Sequence, residues 1–157
     1  MSFDVNVINP FLTSAKDVIK ITTGIELEIG KPALKDLVFT DEYVRIMLGI
    51  TGEMTGQIII VITTDGAKNI ASKMMIGMPV NELDEMAISA ISELGNMIMG
   101  NASTILEKNS IKTDITPPMV ERGNSKIDMD KFQSICVPLL YENTPFIELD
   151  IMVKKVS

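Results

Sequence analysis

The chain has 157 residues and a mass of 17.2 kDa, with 46% hydrophobic and 22% charged residues, which matches one ordinary domain spanning 1–157. Fourteen basic against twenty-one acidic residues give a formal net charge of -7, and no basic run interleaved with aromatics is present, so nucleic acid and anionic membrane are poor partners. The sequence contains no histidine, which removes the commonest base near neutral pH and the commonest metal ligand, so any hydrolysis has to proceed by another route.

No apolar run approaches the ~18 residues of a membrane span, and Met1-Ser2-Phe3-Asp4 lacks the basic start of a secretory signal. A cytoplasmic protein without membrane insertion is the expectation. Cys136, the single cysteine, lies in the apolar run Ile135-Cys136-Val137 and predicts a buried, unreactive thiol in a reducing compartment.

The first element is an amphipathic helix from about Val7 to Thr22, with Phe11, Leu12, Ala15, Val18 and Ile19 at helical spacing and Gly24 as its stop. Leu27 and Ile29 alternate with Glu26 and Glu28, predicting a short strand that ends at Gly30. Tyr43–Ile50 and Gln57–Thr63 read as a hairpin joined through Thr51–Gly56, where glycines permit turn dihedrals. The unbroken run Ile58–Ile62 predicts a central strand covered on both faces.

A short helix follows through Ala67, Ile70, Ala71 and Met74, capped by Thr64 or Asp65 and ended by Gly77 and Pro79. A long helix then covers Asn81–Glu107, with Asn81 as its cap and Asp84 and Glu85 near its positive end. Beyond it, Ile111–Thr116 is extended, Pro117-Pro118 forbids a helix, Glu121–Ser125 reads as a mobile loop, and Phe132–Leu140 and Phe146–Val153 are strands around the turn Glu142–Pro145. The order α-β-β-β-α-α-β-β-β predicts an α/β fold with a mixed or antiparallel sheet and packed helices.

Chemistry concentrates on the long helix. At about 100° per residue, with Ser89 as zero, Glu93 falls at about 40°, Asn96 at about -20° and Gly100 at about 20°. Ala87, Leu94, Ile98 and Ile105 fall at about 140–180°, with Ile91 and Ala102 beside them, and form the core face. A polar stripe of this kind also serves plain solvation. Two of its residues are poor choices for solvation alone: Gly100 gives up roughly 1 kcal/mol of helix propensity and leaves room for another molecule, and Asn96 is unfavourable inside a helix. A carboxylate at Glu93 can accept charge-assisted hydrogen bonds from a lysine or arginine, and an amide at Asn96 can hold a water without deprotonating it. Placement of water without a strong base suits hydrolysis of an activated phosphoryl group.

The stretch Ser89-Ala90-Ile91-Ser92-Glu93-Leu94-Gly95-Asn96, with Pro117-Pro118 downstream, resembles the Asp/Ser-x3-Glu-x2-Asn signature and following proline of the CheC/CheX/FliY chemotaxis phosphatases. Asn9-Pro10-Phe11, the Gly52–Gly56 hairpin and the helix pair across 65–107 resemble the single-site CheX type in particular. Residues 65–76 contain no second Glu-x2-Asn pattern, unlike the two catalytic helices of CheC proteins.

The resemblance implies a CheC-like fold and hydrolysis of the aspartyl phosphate on a CheY-like receiver. It implies that Glu93 contacts the receiver's active-site lysine and that Asn96 positions the attacking water, with Ser89 in a supporting role; Gly100, which leaves room on the same stripe, is a further supporting position on the helix reading alone. No intrinsic cofactor is expected; the receiver would supply the phosphoryl group and its bound Mg²⁺. A homodimer joined through sheet elements is also implied. A receiver-binding or flagellar-switch domain without catalysis is the alternative. A serine hydrolase is disfavoured because Ser89 has no partner base, and Gly49–Gly56 lacks the P-loop pattern.

Overall fold

A computed structural model describes residues 5–35, 37–127 and 134–156. Helix α1 (Val5–Thr23) is followed by strands β1 (Glu28–Ile29), β2 (Leu37–Phe39), β3 (Tyr43–Gly52) and β4 (Met54–Thr63). Helices α2 (Thr64–Met74) and α3 (Glu85–Lys108) come next, then β5 (Thr113–Ile115), β6 (Met119–Arg122), β7 (Ser125–Ile127), β8 (Ile135–Tyr141) and β9 (Thr144–Lys155).

The main sheet runs β1-β8-β9-β4-β3-β5, with β6 also pairing β3, and β2 and β7 form a separate two-stranded ribbon. All of these pairings are antiparallel. The fold is therefore α/β with an antiparallel sheet and packed helices, as the element order predicts.

The run Ile58–Ile62 explains the layering. As part of β4 it sits between β3 and β9 and is buried throughout. Its alternate side chains serve two cores, because successive residues of a strand point to opposite faces. Ile58, Ile60 and Ile62 join Ile46, Leu48, Leu149 and Val137 beneath the three helices. Ile59 and Val61 join Leu37, Phe39, Cys136 and Met152 on the other face, where the ribbon supplies Leu37 and Phe39.

Several predicted elements shift. The Thr51–Gly56 connection is mostly strand: β3 extends to Gly52, β4 starts at Met54, and only Glu53 turns between them. Gly56, at φ 145°, lets the backbone pass so close to β9 that a Cβ would run into the Met152 carbonyl. Ile29 is exposed rather than alternating inward with Leu27. The expected loop Glu121–Ser125 shrinks to a two-residue connection, Gly123-Asn124, because Glu121 and Arg122 close β6 and Ser125 opens β7. The Arg45 guanidinium ties this segment to β3: it donates to the Gly123 carbonyl at 2.8 Å and to Glu121 at 3.4 Å, and lies 4.9 Å from the Phe39 ring centre. The predicted strand Phe132–Leu140 begins outside the described residues; its described part is β8.

The helix caps also move. Thr63, rather than Thr64 or Asp65, accepts the Gly66 N–H at the start of α2. Asp84, rather than Asn81, accepts the Ala87 N–H at the start of α3. Each shift moves the cap to the extended residue whose oxygen reaches the third amide onward.

Helix α3 lies across the sheet with Ala87, Ile91, Leu94, Ile98 and Ala102 fully covered. Ile105, expected in that face, is only half-buried, and Leu106 takes the buried position instead. Buried Ser14 of α1 donates to the Ile98 carbonyl and fixes the two helices against each other. Helix and sheet approach closely at Gly95, where a Cβ would stand 2.7 Å from Cγ2 of buried Ile46. Gly95→Ala is expected to destabilise the protein by about 1–3 kcal/mol in urea denaturation, the cost of overpacking outweighing the gain in helix propensity.

One fully buried acid interrupts the outer core. Burial pushes the Asp150 carboxyl up to about 8, with neighbouring Glu148 adding to the shift. The unfolded chain loses this proton near the ordinary 3.8, so between these values the folded state binds more protons and stability falls as pH rises. The contribution is complete below the lower value and lost through the upper one. Urea denaturation in the presence of a metal chelator from pH 5 to 7 is expected to show Asp150→Asn removing a decline of up to about 1.4 kcal/mol per pH unit.

Candidate functional site

The polar stripe of α3 stands where its apolar stripe forces it. With Ala87, Ile91, Leu94 and Ile98 against the sheet, Ser89, Glu93 and Asn96 face outward and all three are exposed. Glu93 and Asn96 make no side-chain hydrogen bond or ion pair within the described residues. Their polar atoms are available to an external partner.

Gly100, one turn further on, is half-buried, and a Cβ there would meet nothing within 4 Å. No internal contact calls for glycine at this position. The internal requirement falls on Gly95, which the sequence reading quoted within the motif without giving it a task. The signal available in the sequence was a glycine in the middle of a long helix on its apolar side, where close backbone packing is the usual reason.

The second wall of the site comes from an irregular sheet edge. Strand β5 pairs with β3 through Ile50↔Ile115, and that register continues at Thr116, whose N–H donates to the Gly49 carbonyl at 3.0 Å and whose Oγ1 accepts the Gly49 N–H at 2.7 Å. From Met119 the pairing with β3 has slipped by one residue, to Met47↔Met119. Pro117 and Pro118 therefore stand together opposite Leu48 as a bulge. Proline fits an edge bulge because it needs no ladder N–H there, and a bulge re-aims the chain locally. Ser103 on α3 reaches Thr113 of β5, Oγ to Oγ1, at 3.0 Å and ties the helix to this edge.

The bulge and helix enclose an open groove of about 490 Å³ lined by Ile88, Ser89, Ser92, Glu93, Asn96, Ile115, Thr116, Pro117 and Pro118. The structure thus brings Ser89, Glu93 and Asn96 together with the distant Pro117-Pro118 pair. Gly100 does not line this groove. Thr116 and Ser92 are groove residues that the sequence reading did not single out; Thr116 is found only through its long-range bonds to Gly49.

The groove combines a flexible carboxylate, an amide with both donor and acceptor, and a rigid proline rim. It holds no histidine, cysteine or lysine, so it supplies neither a strong base nor a nucleophilic thiol. Its chemistry is to dock and to orient. No helix among the described residues is long and apolar enough to cross a membrane.

Comparison with known proteins agrees with this arrangement. The family model described as chemotaxis phosphatase CheX matches residues 44–140, which include α3 and the proline bulge. The CheY-P phosphatase CheX of Thermotoga maritima is 38% identical over 120 residues, covering 76% of this chain and 77% of that protein. A CheC-like superfamily protein from Shewanella sp. PV-4 is similar in structure at a TM-score of 0.81 and 28% identity, over 97% of this chain and 99% of that one. The structure of a CheX–CheY–BeF3–Mg²⁺ complex from Borrelia burgdorferi matches at a TM-score of 0.76 and 28% identity, over 97% of this chain and the whole of that one. With a signature helix, a proline-bulged sheet edge and matches across most of its length, this chain belongs to the CheX chemotaxis phosphatase family.

Proposed function

We propose that this protein hydrolyses the aspartyl phosphate of a CheY-like response regulator, with Glu93 docking to the receiver and Asn96 orienting the attacking water. The observation that carries the reading is the pair of exposed, unpartnered polar side chains, Glu93 and Asn96, in one groove on the same face of α3. The Borrelia complex, in which a CheX-like relative is bound to CheY with BeF3 and Mg²⁺, supports a receiver as partner.

The division of labour follows from the side chains. Glu93 accepts hydrogen bonds from a receiver lysine and so sets the register of α3 over the phosphorylated site. Asn96, one turn away, holds a water by its amide and turns a lone pair toward phosphorus. Proton abstraction is not its task, since the amide has no basicity and the groove offers no histidine. The rate gain comes from orientation and from excluding unproductive water positions, which suits a loose phosphoryl-transfer transition state. Mg²⁺ and the phosphoaspartate belong to the receiver. Ser89 borders the groove, and Gly100 leaves the continuing helix face without a side chain.

The proposal extends to a single domain over 1–157 acting as a homodimer. Strands β8 and β9 provide no separate support for dimerisation, because their apolar side chains are covered within one chain. Support comes from Leu34 and Val38, large apolar residues left 67% and 61% exposed in and beside the ribbon strand β2. Light scattering is expected to give twice the 17.2 kDa chain mass.

Phosphate release from a Mg²⁺-loaded phosphorylated receiver tests the assignment of roles. Asn96→Ala is expected to lower kcat by about 100-fold with KM little changed, the signature of a group that acts in the transition state. Glu93→Ala is expected to raise KM as well as lower kcat. Equal activity of the folded variants and the native protein would rule out this site. Binding of the receiver with an unchanged phosphoaspartate lifetime would favour the non-catalytic interaction domain.

A further inference from the structure

Across the sheet from α3, three potential ligands converge around Cys136, whose apolar neighbours in sequence predict only an inert thiol. Cys136 and Asp150 are direct cross-strand partners on β8 and β9, and Glu148 lies two residues along β9 on the same face. One donor atom from each of the three lies within 4.8 Å of the other two. Asp150 is fully buried, and among the described residues neither of its carboxyl oxygens has a hydrogen-bond partner outside the cluster itself, where the Cys136 thiol and the Glu148 carboxyl lie beside it. An acid in this condition is costly to the fold unless something else occupies its oxygens.

No protein cation takes that place among the described residues. Arg45, on the same outer face, is held by Gly123 and Glu121. Lys35 reaches this face but bonds Glu148 Oε1 at 2.6 Å, and a carboxylate can still bind a cation through its other oxygen.

We propose that Cys136, Asp150 and Glu148 bind a thiophilic divalent cation, zinc being the occupant that this donor set selects. One thiolate with two carboxylates suits zinc rather than Mg²⁺ or Ca²⁺, which take oxygen ligands alone. Tetrahedral zinc, with bonds of about 2.3 Å to sulfur and 2.0–2.2 Å to oxygen, holds its donors about 3.5 Å apart. From their present spacing of within 4.8 Å, the three donors would close by about 1 Å on binding, and a water would complete the fourth position.

With the cation bound, the Cys136 thiolate and the two carboxylates carry three negative charges against two from the ion and one from Lys35 beside Glu148, so the buried face holds no uncompensated charge. Of the three ligands, Glu148 lines the open groove of about 570 Å³ between the β2 ribbon and β9, together with Lys35, Phe39 and Val61, while Cys136 and Asp150 lie beneath it.

Titration of the chelator-stripped full chain with Co²⁺, a coloured stand-in for zinc, tests the site independently of phosphatase activity. The expected result is one cation per chain with thiolate-to-cobalt charge-transfer absorption, displaced by equimolar zinc and retained in excess Mg²⁺. Cys136→Ser is expected to abolish that absorption. Asp150→Asn is expected to weaken binding by more than the roughly 10–100-fold that loss of a supporting residue costs at a metal site. Glu148→Gln, at a partly exposed position, supplies the same comparison if Asp150→Asn does not fold. Absence of the absorption in the folded native protein, or equal binding by native protein and the folded ligand variants, would overturn the proposal.

Discussion

The contact between Gly95 and Ile46 sets how α3 lies on the sheet, and the candidate site follows from it. A helix can settle on an apolar sheet at many rotations if its inward face is uniformly bulky. Here one position carries no side chain, and the backbone of α3 closes onto Cγ2 of Ile46 at that point. Leu94 and Ile98 pack on either side, and the rotation about the helix axis is fixed. Glu93 and Asn96, the immediate neighbours of Leu94 and Gly95, are then directed to solvent. The same residues that give the helix its grip on the core orient the polar pair.

The second constraint acts along β3. Gly49 exchanges two hydrogen bonds with Thr116, which holds the edge in register up to the point where the two prolines interrupt it. An uninterrupted edge strand would continue flat beside β3. The one-residue slip at Pro117-Pro118 instead raises a rigid rim facing α3, and proline here also leaves no ladder donor unpaired. Thus one wall of the groove is set by helix packing and the other by a defect in sheet pairing. Their relative position is held by the Ser103–Thr113 contact.

The two faces of the sheet differ in kind. The helix side is an aliphatic core in which Ser14 is the buried polar residue, satisfied by the Ile98 carbonyl. The outer side has a smaller apolar cluster beneath the β2–β7 ribbon and holds Arg45, Cys136 and Asp150 among its buried groups. Burial also pushes the Cys136 thiol up to about 12, so without a cation it is a neutral, inert group, as its apolar neighbours predict. Polar groups on this face cost desolvation free energy and therefore need partners. Arg45 finds its partners in Glu121 of β6 and Gly123 of the β6–β7 connection, which ties that segment to β3. Among the described residues Asp150 has no partner outside its cluster with Cys136 and Glu148, which is the basis for assigning it a ligand.

Periodicity in the sequence by itself determined the helix faces, the central place of Ile58–Ile62 and the outward stripe of Ser89, Glu93 and Asn96, because these depend on repeats of 3.6 and 2 residues within one segment. The motif on that stripe and the Pro117-Pro118 pair after it were enough to indicate the family. The tertiary structure decided what depends on residues far apart in the chain. It showed that Gly95, and not Gly100, answers an internal packing need, that Arg45 ties the expected loop Glu121–Ser125 to β3, with strand on either side of Gly123-Asn124, and that Thr116 locks the proline rim to Gly49. It also brought Cys136, Glu148 and Asp150 together. Cross-strand register creates such neighbours, and no local pattern of apolar and polar residues specifies which strand will lie beside which.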